Sequence, residues 1–228
     1  MDMNIGLNAK VSESEIQPQG YNFTSAKLSY THGYLWPIVT KVLVDFPPPR
    51  TIFDLGCGNG STAHALSQSG YTVSGIDPSS EGIAFAKQQY PDCRLENGSA
   101  YDDLAGRFGQ FDCVISLEVV EHLFYPRRYA QTVKSLLKPG GIAIISTPYH
   151  SYTKYLTLAV MGKMDSHFNP LWDYGHIKFW SKKTLTRLFD EAGLGVTQFH
   201  RAGRIPILGK SMVLVLQHEG WKKSDNGG

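Results

Sequence analysis

Residues Phe53 to Gly60 read FDLGCGNG, an apolar run carrying one acid and then three glycines within five positions. Gly56, Gly58 and Gly60 free the backbone to turn tightly and to approach a ligand closely. An ordinary strand-to-helix turn has no use for so much glycine. Outward from this loop, the chain alternates short apolar runs with helical patterns. TIFDL predicts a strand and TAHALSQSG a helix, followed by strand YTVSGID and helix SSEGIAFAKQQY. CRLENG and FDCVISL read as further strands, PRRYAQTVKSLL as a helix, and GIAIIST as a strand after the Pro139-Gly140-Gly141 turn. Strands separated by helices of this length predict right-handed βαβ units and a parallel sheet covered on both faces. SKKTLTRLFDEAG then predicts a helix with Ser181 as N-cap, and GVTQFHRAG with SMVLVLQH a closing pair of strands.

The loop and its acid select a ligand. A dinucleotide site of the G-x-G-x-x-G type would need glycine at position 61, which is Ser61. Asp54, at the mouth of the loop, would repel a pyrophosphate, whereas S-adenosylmethionine (SAM) presents an ammonium and a sulfonium that a carboxylate attracts. Asp77 ends the next strand, 23 residues after Asp54, where a carboxylate can accept the ribose hydroxyls.

D-x-G-x-G-x-G, an acid at the end of the second strand, an N-G-S-A-Y-D turn after the third and L-K-P-G-G before the fifth resemble the class I SAM-dependent methyltransferases, over roughly Thr51 to His218. The resemblance implies a Rossmann-like α/β fold: a seven-stranded, mostly parallel sheet with helices on both faces, an N-terminal helical cap and a lid insert after the fifth strand. It implies that Asp54, Gly56, Cys57 and Gly58 line the methionine end of SAM. Asp77 would hold the ribose with Pro78 beside it, and Ser99, Ala100 and Tyr101 would border the adenine. Serine at 99, where the family usually has aspartate, weakens the contact to the adenine amino group. Leu117 and Glu118 would meet the SAM amine.

Immediately after the fourth strand, SLEVVEHLF places Glu118, Glu121 and His122 at i, i+3 and i+4, one face of a helical turn. Such a face can serve acid–base chemistry or ligate a divalent cation. Glutamate at a helix start is also favoured by the dipole alone. Together with a later H-x-x-x-W-S at His176, the pattern resembles the ubiquinone-biosynthesis O-methyltransferases and the small-RNA terminal 2′-O-methyltransferases. That resemblance implies a divalent metal (Mg, Mn or Zn) on Glu118, Glu121, His122 and His176. Without a metal, His122 or His176 is the expected general base.

Segment 149–180 holds Tyr149, Tyr152, Tyr155, Phe168, Trp172, Tyr174, Phe179 and Trp180, and reads as a loop-rich lid on the sheet's carboxyl edge. Within it, His150 and His167 read as surface or packing histidines. Residues 1–50 form the expected cap, with a helical pattern from about Asn22 to Phe46 closed by Pro47-Pro48-Pro49; 51–218 form the SAM-binding domain and 219–228 a flexible tail. Tyr21–Trp36 and the lid together suit an apolar acceptor pocket.

Across 228 residues, 42% are hydrophobic and 18% charged, a globular balance, and the net charge of +2 comes from scattered Lys and Arg with no basic stripe. A small-molecule acceptor with one hydroxyl or adjacent hydroxyls is therefore expected, and nucleic acid is not. The competing readings are an RNA or tRNA methyltransferase and a non-catalytic SAM-binding protein. Cys57, Cys93 and Cys113 lack C-x-x-C spacing and read as reduced thiols; with no apolar leader and no membrane span, a cytoplasmic location is expected. The sequence leaves the oligomeric state open.

Overall fold

The computed structural model describes residues 32–46, 50–172, 175–203 and 209–218. Segments 22–31, including most of the Tyr21–Trp36 stretch, and the 219–228 tail lie outside the described residues. In chain order the elements are α1 (His32–Val44), β1 (Thr51–Leu55), α2 (Ser61–Gln68), β2 (Thr72–Asp77), α3 (Ser80–Gln89), β3 (Arg94–Asn97), α4 (Leu104–Phe108) and β4 (Phe111–Leu117). A 3₁₀ turn at Val120–His122 precedes α5 (Pro126–Leu136) and β5 (Leu137–Pro148). The remainder comprises α6 (Tyr152–Val160), α7 (Met164–His167), α8 (Lys182–Asp190), β6 (Leu194–Ala202) and β7 (Ser211–His218).

The seven strands form one sheet in the order β3-β2-β1-β4-β5-β7-β6. β1 to β5 pair in parallel, and β7 runs antiparallel to both of its neighbours. The order reverses between β1 and β4, which is where an open α/β sheet leaves a crevice at its carboxyl edge.

Strand alternation divides the interior into two cores. Val114, Met212, Leu214 and Leu216 face Leu104 of α4, Tyr129 and Val133 of α5, and Leu185 and Phe189 of α8. Cys113, Ile115, Val213 and Val215 face the other side, against Leu35 and Val39 of α1, Leu66 of α2 and Ile83 of α3. α1 is thus part of the sheet's own packing. Ser181 starts α8 with a capping box, its Oγ accepting from the Thr184 amide while Thr184 reaches back to the Ser181 amide.

Three differences from the sequence reading have physical causes. β5 begins at Leu137, before the Pro139-Gly140-Gly141 turn, because Leu137 pairs with Phe111 and the ladder resumes at Cys113 and Ile142 after a register shift. The short helix α4, just beyond the N-G-S-A-Y-D turn, adds to the elements read from the sequence; Asp103 caps it by accepting from the Gly106 amide. The insert contains two helices, α6 and α7, neither of which buries a residue.

The amino ends of the central strands are tied by one acid. Asp112 Oδ2 accepts from the Thr51 amide at 2.9 Å, the Thr51 hydroxyl at 2.8 Å and Lys138 Nζ at 3.1 Å. Burial alone would raise this carboxyl, but these donors hold it below the usual carboxylate range.

Candidate active site

The glycine loop bends back over β2, where the amides of Gly56 and Cys57 both donate to the Ile76 carbonyl at 2.9 and 3.0 Å. Gly56 adopts φ 91°, and a Cβ there would lie 2.4 Å from Val119 Cγ2. Gly60, at φ 77°, would collide with Leu95 and Ala86. No side chain fits at either position.

Under this loop, Asp54 is 2% exposed and its Oδ2 has no hydrogen-bond partner. Burial, with Asp77 nearby, pushes its carboxyl up to about 7. Asp77 accepts from the Gly58 amide through Oδ2 and from the Ser79 amide through Oδ1, both at 2.9 Å. Burial raises Asp77 despite these bonds. Two buried carboxylates, one of them with an unpartnered oxygen, make a crevice that gains when a cation enters.

The remaining predicted cofactor residues line the same edge. Pro78 is half-buried beside Asp77, and its carbonyl accepts from Asn97 Nδ2 at 3.0 Å. Ser99 Oγ accepts from the Tyr101 amide, Ala100 is buried, and the Tyr101 hydroxyl accepts from the Tyr125 amide at 3.1 Å. Leu117 ends β4, half-buried.

Past β4 the predicted single face divides. Glu118 precedes the 3₁₀ turn in the left-handed region at φ 58°, so it does not share the face of Glu121 and His122. Its carboxylate accepts from Ser146 Oγ at 2.7 Å and Ser211 Oγ at 3.0 Å. Burial lifts this carboxyl to about 7, against the pull of those hydroxyls. Tyr34 of α1 joins the network through Ser211 Oγ at 3.2 Å.

Glu121, His122 and His176, by contrast, place one ligating atom each within 4.8 Å of one another. The two imidazoles meet edge to face, with ring centroids 4.9 Å apart. Thr147 Oγ1 donates to Glu121 Oε2 at 3.0 Å, while Glu121 Oε1 is buried without a partner. Such an orphaned acceptor beside two imidazoles fits a divalent cation. Burial and the neighbouring Glu118 raise Glu121 well above the usual range; burial, with His122, His167 and Lys154 nearby, pushes His176 down to about 4. Neutral at ordinary pH, His176 has a lone pair to give.

Backbone bonds bring His176 to the turn. The Glu121 carbonyl accepts from the amides of Ile177 at 3.0 Å and Lys178 at 2.9 Å, and Trp180 Nε1 donates to the Val120 carbonyl at 3.3 Å. The later H-x-x-x-W-S segment is therefore a clamp on the turn. Sequence reasoning missed Ser146, Thr147 and Ser211. Their signal was faint: hydroxyl residues at the ends of otherwise apolar strands, where core-facing residues give way to the carboxyl edge.

A methyltransferase-domain family model matches residues 28–198. The chain belongs to this methyltransferase family. The methyltransferase is 30% identical to the ubiquinone biosynthesis O-methyltransferase of Dinoroseobacter shibae, over 76% of this chain and 67% of that protein. It is 32% identical to the enzyme of that name from Thiobacillus denitrificans, over 64% of each chain. Identity is also 32% with the mitochondrial enzyme of that name from Mus musculus, over 64% of this chain and 41% of that protein. The match thus spans between two fifths and two thirds of these relatives' own lengths. Among solved structures, the magnesium protoporphyrin IX methyltransferase of Synechocystis, with bound S-adenosylhomocysteine (SAH), shares the fold at a TM-score of 0.63 and 19% identity over 81% of each chain. SAM is the methyl donor of this methyltransferase. All three of its cysteines are buried free thiols, and no described helix is long and apolar enough to cross a membrane.

Proposed function

We propose that the protein transfers the SAM methyl group to a hydroxyl oxygen of a small molecule carrying adjacent hydroxyls. The grouping of Glu121, His122 and His176 at the carboxyl edge, beside the acid-and-glycine loop, carries the reading. The relatives' names, each an O-methyltransferase, point the same way. In the reaction the acceptor oxygen attacks the methyl carbon in line with the carbon–sulfur bond. A C–O bond forms as the C–S bond breaks, SAH leaves, and the hydroxyl proton passes to a base.

Asp54 and the loop bind and orient the donor, with the Asp54 charge facing the methionine end. Asp77 holds the ribose, and Ser99, Ala100 and Tyr101 border the adenine. Glu121, His122 and His176 are the proposed ligands of a divalent cation; two imidazoles favour Mn²⁺ or Zn²⁺ over Mg²⁺. Such a cation, when bound, lowers the pKa of the acceptor hydroxyl and fixes its position. Glu118 is not proposed as a ligand, because Ser146 and Ser211 already occupy its carboxylate. His122 or His176, if not ligating, takes the proton. Segment 149–180 would cover the acceptor, and the scattered surface charge suits a small molecule better than RNA.

Chelation followed by metal restoration tests the assignment. Exhaustive chelation should abolish methyl transfer to a catechol, and Mn²⁺ or Zn²⁺ should restore it, with metal content measured in parallel. Full activity at vanishing metal content would remove the cation from the mechanism.

A further inference from the structure

His150 lies two residues beyond the end of β5 and three beyond Thr147, the residue that holds Glu121. It is 5% exposed, yet neither ring nitrogen has a hydrogen-bond partner. Its ring packs against Phe179 at 5.2 Å, Tyr155 at 5.5 Å, His167 at 6.2 Å and Phe168 at 6.3 Å between centroids. The Tyr155 hydroxyl is likewise buried and unpartnered. The His150 amide donates to the Trp180 carbonyl at 3.2 Å, linking it to the loop that carries His176.

An imidazole sealed from water with both nitrogens idle costs on the order of 1–3 kcal/mol, and phenylalanine would fill such a space without that cost. Lys154, His167 and His176 act on His150; burial keeps the imidazoles neutral, and Lys154 is the cation among them. A neutral imidazole N–H and a phenol O–H beside one ammonium suit an anionic oxygen. Access to His150 requires α6 and α7 to open and then return Tyr155 to it; neither helix contributes to the two cores of the sheet, so opening disturbs only the aromatic cluster.

We propose that His150, with the Tyr155 hydroxyl beside it, anchors a carboxylate substituent of the methyl acceptor beneath the 149–180 segment. The assignment rests on the small-molecule reading above, and it makes the acceptor a hydroxylated aromatic or similar acid. His150 and Tyr155 are specificity residues, separate from the groups that handle the reacting oxygen.

Calorimetry on the full chain, saturated with SAH and Mn²⁺, would compare two probes, 3,4-dihydroxybenzoate and catechol. One charge-assisted contact should favour the carboxylate-bearing probe about tenfold. His150→Phe should bring the two affinities within about twofold while leaving SAH affinity unchanged. Equal binding of both probes by the wild type, no binding of 3,4-dihydroxybenzoate, or a preference that survives in His150→Phe would overturn the assignment. Should that variant fail to fold, Tyr155→Phe, which removes only a hydroxyl, carries the same comparison: the preference should fall, and its full retention would be the contrary result. Carboxylate-selective binding without any methyl transfer would instead sink the O-methylation reading and leave His150 in place. Methylation of catechol without selectivity would do the reverse.

Discussion

Asp54 combines deep burial, a neighbouring acid and an oxygen with no partner. Its carboxyl, raised to about 7, is largely protonated in the ligand-free protein below neutrality. A cationic donor binds best to the ionised form, so donor binding expels a proton wherever the group is protonated beforehand. SAM affinity should therefore rise between pH 6 and 7, by at most about tenfold per unit, and level off above pH 8. Calorimetry in buffers of different ionisation enthalpy would read both the slope and the proton released. Asp54→Asn should flatten the profile and weaken SAM by about tenfold or more at pH 8; unchanged affinity would remove its assigned role. Asp54 was legible in the sequence because its value lies in residue type at one position of a glycine loop. His150 was not: burial without a partner is a property of three dimensions, and a histidine in an aromatic insert reads the same whether it is idle or occupied.

The turn after β4 is held by one hydroxyl contact, from Thr147, and by the backbone and indole bonds of the 176–180 clamp. Thr147→Val removes the bond to Glu121 while keeping shape, so the carboxylate loses its orientation. Metal retention should fall about tenfold or more, as for other groups that orient a ligand, and the thermal midpoint should drop by a few degrees because Glu121 Oε2 loses its buried partner. Equilibrium dialysis with Mn²⁺ or Zn²⁺ would measure it. Periodicity located β1, β2, β4, α5 and α8 because their patterns are local and strong. It failed around Glu118, where an i, i+3, i+4 spacing suggested one face. That spacing presumes helical backbone from the first residue, and Glu118 instead turns left-handed, towards Ser146 and Ser211. The helices of the insert escaped notice for different reasons: α7 is a single turn, and α6, whose Tyr152, Tyr155, Leu156, Ala159 and Val160 recur at helical spacing, lies in an aromatic stretch read as loop-rich.

At the scale of the molecule, α1 and the sheet are one packing unit. Leu35, Val39, Val42 and Leu43 share a core with Ile52, Ile144 and Val213. Leu35→Ala should cost about 2–5 kcal/mol, and urea unfolding followed by circular dichroism and by tryptophan fluorescence should give coincident midpoints. Separate transitions would make α1 an independent cap. The overall architecture was legible because glycine loop, strands and helices alternate in register, whereas the union of α1 with the sheet depends on contacts between distant parts of the chain. The Asp112 tie gives this unit a mechanical polarity. With the starts of β1, β4 and β5 tied together and the β4–β5 ladder running on to Leu117 and Ser146, a guest at the opposite rim meets a stiff frame, so any yielding to its shape falls to the loops beyond the strand ends.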